Sequence, residues 1–190
     1  MVSVNQRAGR CAVAALVLAL ASCTAKPAPS PSAATPPVSL HSPSPSPSPT
    51  DPRVGAVQTA VAAYRAMWQA YTVAIEVPDP NSPDLARYAT GSALSTLVSG
   101  IKSVKDQGMK GTGQLVLSPQ VVKITPTDSP TSVDVQDCFD DAATHLVSAS
   151  PGSTGHDTPG GRRLCLATVE RQADGSWKVT HFGLRGVGTC

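Results

Sequence analysis

The sequence predicts an α+β domain over residues 53–190, with a long N-terminal helix and shorter helices packed on a curved four-stranded antiparallel sheet. Two observations carry this. Apolar residues recur at steps of three and four from Val54 to Ile75, and again from Leu94 to Val104, which is the period of a helix burying one face. Beyond Gly108 the composition turns to Val, Leu and Ile, and Val133 and Val135 alternate with Ser132, Asp134 and Gln136, the period of a half-buried strand. Helices first and a meander of strands after them make the class α+β.

The elements follow in order. Asp51 stands as a helix cap with Pro52 in the first turn behind it. The stripe of the first helix reads Val54, Val57, Val61, Tyr64, Trp68, Tyr71, Ile75, and Pro78 and Pro80 stop it. Ser82 and Pro83 open a short second helix that runs to about Thr90 and breaks at Gly91. A third helix carries Leu94, Leu97, Ile101 and Val104 on one face, and Gly108 suits a left-handed residue at its end. Residues 114–125 read as a strand with Pro119 at an edge or bulge. Residues 131–138 read as the next strand, and the polar, Gly-rich residues 140–161 as a long loop. Residues 162–171 are apolar on both faces, as in a central strand. Ala173-Asp174-Gly175 signals a tight turn into a last strand over residues 176–184, with Trp177 and Val179 on one face.

Residues 1–52 have a different character. Arg7 and Arg10 precede an apolar run from Cys11 to Ala21, and no acid lies among them. The run has the length of a signal-peptide core and is too short to cross a hydrocarbon layer of roughly 30 Å as a helix. It ends in Leu20-Ala21-Ser22-Cys23, which resembles the bacterial lipobox. The resemblance implies a lipoprotein signal peptide over residues 1–22, cleavage before Cys23, and a diacylglycerol thioether on that cysteine. The chain is then expected at the extracytoplasmic face of the cell membrane, held by lipid. Residues 23–52 hold much of the chain's 18 Pro, including a Ser-Pro repeat from Ser42 to Pro49. Pro removes backbone donors, and few apolar side chains offset the entropy of ordering, so a disordered, extended linker is expected. At about 3.1 Å per residue it reaches roughly 80 Å.

Charge excludes some partners. The whole chain carries a formal net charge of +2. Removing residues 1–22 takes away Arg7 and Arg10 and no acid, which leaves basic and acidic side chains in balance. No basic stripe remains for nucleic acid, and no polybasic patch for a membrane surface. The mature chain then holds Cys23, Cys138, Cys165 and Cys190. Two disulfide pairings fit an oxidising compartment. Cys138 and Cys165 face each other as strand neighbours, or Cys190 ties the terminus back to Cys138. The second is preferred, because a free end frays and the closed loop of about 50 residues is worth roughly 4 kcal/mol.

The order of elements, with Tyr64-Arg65-Ala66-Met67-Trp68, Leu85-Ala86-Arg87-Tyr88-Ala89-Thr90-Gly91 and Asp174-Gly175-Ser176-Trp177-Lys178-Val179, resembles the NTF2-like (SnoaL-like) cone as found in actinobacterial lipoproteins. A cystatin-like helix-on-sheet domain leaves much the same trace. The resemblance implies a pocket lined by Tyr64, Trp68, Tyr71, Tyr88 and His181. In enzymes of that fold a buried Asp base and a Tyr donor share it. Here Asp134 alternates with valines and is expected on the solvent face, whereas His181 shares parity with Trp177 and Val179 and is expected inside. Asp140 and Asp141 read as strand-end solvation. No catalytic residue, metal ligand set or cofactor motif is assigned. His41, His145 and His156 have no ligand spacing. The expected role is a non-catalytic accessory or binding domain at the cell envelope, whose partner is an envelope protein, a small apolar ligand or a second copy of the chain. Its alternatives are a small-apolar-ligand-binding protein and an isomerase or hydrolase. Replacing Cys23 (Cys23→Ala) should move the chain out of the membrane fraction, as read by fractionation and immunoblot; unchanged retention would refute the anchor.

Overall fold

The computed structural model describes residues 51–150, 157 and 160–190. The expected signal peptide, Cys23, His41, His156 and the expected linker up to residue 50 lie outside the described residues. No helix among those described is long and apolar enough to cross a membrane.

Three helices come first: α1 (Pro52–Glu76), α2 (Pro83–Tyr88) and α3 (Gly91–Asp106). Six strands follow: β1 (Met109–Gly113), β2 (Gln120–Thr125), β3 (Ser132–Asp140), β4 (Thr144–Ser148), β5 (Arg162–Arg171) and β6 (Trp177–Leu184). The main sheet is antiparallel in the order β2-β3-β5-β6, and β1 and β4 form a separate antiparallel ribbon. The expected class, helices packed on antiparallel sheet, is therefore the one observed.

Local chemistry sets the helix ends. Asp51 Oδ1 accepts from the Arg53 amide at 2.9 Å, and Pro52 fills the first helical position, where no amide hydrogen is needed. Ser82 occupies the cap position of α2, but its side chain makes no capping bond. Gly108 takes φ 65°, the left-handed turn that leads from α3 into β1.

The buried face of α1 is Ala60, Ala63, Tyr64, Met67, Trp68, Ala70, Ala74 and Ile75. It lies to one side of the expected stripe: Val54 is exposed, and Val57 and Val61 are half-buried. Ala marks no face on a helical wheel, yet here it lets the sheet approach closely beside the aromatic side chains. Against this face the sheet lays Val133, Val135, Phe139, Cys165, Ala167, Val169 and Val179.

Two expectations about strands are corrected. The expected strand over residues 114–125 is β2 alone at its far end, with Val116 forming an isolated bridge to Asp140. The expected loop over residues 140–161 contains β4, whose partner β1 is the Gly-rich Met-Lys-Gly-Thr-Gly. Neither strand alternates apolar and polar residues, so only their pairing reveals them.

Cys138 and Cys190 form the disulfide, with Cα atoms 5.8 Å apart. Parity rules out the other pairing. Cys138 stands opposite Leu164 on the outer face, whereas Cys165, opposite Asp137, points into the core and is free. The bond spans 52 residues, a constraint worth roughly 4 kcal/mol in the chain-entropy picture. It also holds the tail along β5, where the Arg185 amide donates to Leu164 O (2.8 Å) and the Gly188 amide to Arg162 O (2.7 Å).

Trp68 is 3% exposed and contacts four rings, with centroids at 6.4 Å (Tyr64), 5.9 Å (Tyr71), 4.7 Å (Phe139) and 5.0 Å (Phe182). Trp68→Ala should destabilise the domain by about 3–5 kcal/mol, measured by urea unfolding; a near-neutral result would mean that these contacts do not hold α1 to the sheet.

Candidate functional site

A cavity of about 460 Å³ opens between α1, α3, the inner face of the sheet and the β1–β4 ribbon. From α1 come Trp68, Tyr71, Thr72 and Ile75, and from α3 Leu97, Gly100 and Val104. Phe139 and Phe182 form its sheet side. The ribbon contributes Gly111, which lies flush against α1: a Cβ there would stand 2.6 Å from Ile75 Cγ2.

The rim is polar. Arg163 Nη2 donates to Asp141 Oδ1 at 3.2 Å and lies 3.1 Å from its Oδ2 as an ion pair, and the Gly161 amide donates to Asp141 Oδ1 at 2.6 Å. His145 Nδ1 lies 2.7 Å from Asp157 Oδ2, and the Leu146 amide donates to Asp157 Oδ1 at 3.2 Å. Glu76, at the end of α1, completes the charged residues of the lining. Two buried N–H groups on lining residues, Trp68 Nε1 and Arg163 Nε, have no hydrogen-bond partner among the described residues.

The structure divides the expected pocket residues. Trp68 and Tyr71 line the cavity. Tyr88 packs half-buried against the core and lines no part of it. His181 is exposed, which corrects the inward expectation. A bulge in β6 places His181 opposite Thr168 while Val179 stands opposite Val169. The extra residue reverses the alternation, so Phe182 takes the inward place. His181 instead meets Ser92 Oγ at 3.1 Å, at the start of α3. Asp141, expected as strand-end solvation, holds the rim arginine. Asp134 accepts from Thr168 Oγ1 at 2.9 Å, away from the cavity.

Tyr64 lies elsewhere in the core, in a closed polar pair. Its hydroxyl donates to Asp137 Oδ2 at 2.9 Å, and the Ser118 amide donates to Asp137 Oδ1 at 2.6 Å. Asp137 is 1% exposed, and neither partner lines the cavity. Strand parity alone would have placed Asp137 with Val133, Val135 and Phe139 inside. Burial holds its carboxyl above the usual carboxylate range, against the pull of the bonds from Ser118 and Tyr64. Burial also pushes the Tyr64 hydroxyl far up, so it stays a neutral donor. The Cys165 thiol is pushed up to about 11 by burial, which keeps it protonated and unreactive. Among the described residues no group of three His, Cys, Asp or Glu is placed to hold a metal ion.

No family model and no curated protein matches the chain. Solved structures do. The intermembrane space region of the chloroplast protein ARC6 is 16% identical, with a TM-score of 0.48, over 67% of this chain and 94% of that one. A ketosteroid isomerase-like protein from Erwinia carotovora atroseptica is 16% identical, with a TM-score of 0.41, over 66% of this chain and 91% of that one. A protein of the NTF2-like family from Streptomyces avermitilis is 12% identical, with a TM-score of 0.41, over 69% of this chain and 97% of that one. The second of these is described as ketosteroid isomerase-like and the third as NTF2-like. The likeness is one of backbone course alone, and no activity comes with it.

Because Asp137 is easier to protonate folded than unfolded, its contribution to stability is complete below the unfolded carboxylate pKa of about 3.9 and is lost as pH rises through the raised folded value. Relative to Asp137→Asn, the native chain should therefore lose stability as pH rises above about 4, measured by urea midpoints across a pH series. Parallel pH profiles would contradict the burial argument.

Proposed function

We propose that the chain is a lipid-anchored extracytoplasmic protein whose domain binds a small, largely apolar molecule in the cavity beside Trp68. One observation carries this reading: the space between α1 and the sheet is left open at about 460 Å³, within the size range of small-molecule sites. A domain serving only as a packed scaffold gains nothing from such a void, since lining atoms that face it forgo dispersion contacts. Aromatic and aliphatic side chains make the walls and ion pairs sit at the rim, the usual division between affinity and orientation. The Asp–Tyr pair that an isomerase-like chemistry would need is sealed away from this space, which favours binding over catalysis.

The anchor belongs to the same reading. Cys23 with its lipid would hold the domain at the membrane, and the Pro-rich segment would set its reach.

N-phenylnaphthylamine, a neutral apolar dye that brightens out of water, tests the cavity. A chain beginning at residue 23 and carrying Cys23→Ser avoids lipid and detergent. It should bind the dye saturably. Gly100→Leu should weaken that binding by about tenfold or more without lowering the melting temperature. Gly100 is helical, and a Cβ there meets nothing nearer than Tyr71 Oη at 3.7 Å, so the larger side chain enters the cavity. Dye binding unchanged by Gly100→Leu would refute the reading.

A further inference from the structure

The charged groups around the cavity are unevenly signed. Glu76, Asp141 and Asp157 line it against Arg163, with His145 adding one positive charge at most. Among the described residues the lining is therefore net negative in either state of the histidine. Arg163 offers an incoming anion little. Its Nη2 is already on both oxygens of Asp141, and its Nε is shut away from solvent. An anion would also have to approach against Glu76.

Two further features have the same sign. The last turn of α1, which supplies Ile75 and Glu76 to the cavity, contains no basic residue. The partial negative charge of that helix end thus adds to Glu76 instead of being offset. On the wall, Trp68, Tyr71, Phe139 and Phe182 gather as a cluster of rings, with Trp68 at its centre. Aromatic faces attract a cation by their quadrupole, and more strongly where water is excluded.

We propose that the ligand of this cavity is a cationic amphiphile: an apolar, preferably aromatic, body with one basic nitrogen held near Glu76 at the rim. This rests on the binding reading above and names the chemical class it takes. Glu76 steers and holds the charge, while the rings supply the apolar contact.

Displacement of N-phenylnaphthylamine from the Cys23→Ser chain tests it, using naphthylethylamine, naphthylethanol and naphthylacetate at neutral pH and low salt. These probes share an apolar body and differ mainly in the charge of the head. The amine should displace the dye at a concentration about tenfold below that of the carboxylate, with the alcohol between them, and added salt should narrow the gap. Glu76 is exposed at a helix end, so Glu76→Lys should leave folding intact and shrink the amine preference at least about fivefold. A ranking led by the carboxylate or the alcohol, or an amine preference untouched by Glu76→Lys, overturns the proposal and leaves the cavity's binding role standing. Absence of saturable dye binding overturns both.

Discussion

The contact on which this domain depends is the one Trp68 makes on both sides of the core. It projects from α1 with Tyr64 and Tyr71 on its own helix and Phe139 and Phe182 on the sheet, all within 6.4 Å between ring centres. Edge-on and tilted ring pairs of this kind are directional, so they hold the helix at one angle as well as burying area. The same indole is a wall of the cavity. The distance between α1 and the sheet, and hence the open volume, follows from how these rings stack.

Two other constraints keep that arrangement in place. The Tyr64–Asp137 pair crosses from α1 to β3, and both carboxylate oxygens are occupied, so a polar group in the core is satisfied and specifies which part of the strand faces the helix. The Cys138–Cys190 bond acts on the opposite face of the sheet. It pins the tail beside β5, and Val187 of that tail packs close to Gly161, whose amide holds Asp141. The covalent tie is thus linked, through ordinary contacts, to the ion pair at the cavity rim.

The cavity takes its walls from elements far apart in the chain. Helix residues near position 70, ribbon residues near 111 and 145, and strand residues near 139, 163 and 182 meet only once the sheet has formed. No local spacing joins them. Asp141, His145 and Arg163 accordingly carry no motif, although each is an ordinary polar residue in the sequence.

Much of the architecture was nonetheless legible. Helical period, the Pro and Gly stops and the positions of β3, β5 and β6 follow from local rules of backbone stereochemistry and strand parity, whereas the Cys138–Cys190 link was only the preferred of two pairings until the register of β3 and β5 was known. The β1–β4 ribbon was not legible, because short Gly-rich strands show no alternation. His181 went the wrong way because a single bulged residue inverts parity, and bulges are set by how neighbouring strands pair. What the sequence alone determined is the order of the three helices and of the strands β3, β5 and β6, since these rest on interactions between near neighbours. Only the tertiary structure decided which polar groups are buried, which aromatic rings meet and where space is left open, because those depend on the packing of surfaces that the chain brings together from a distance.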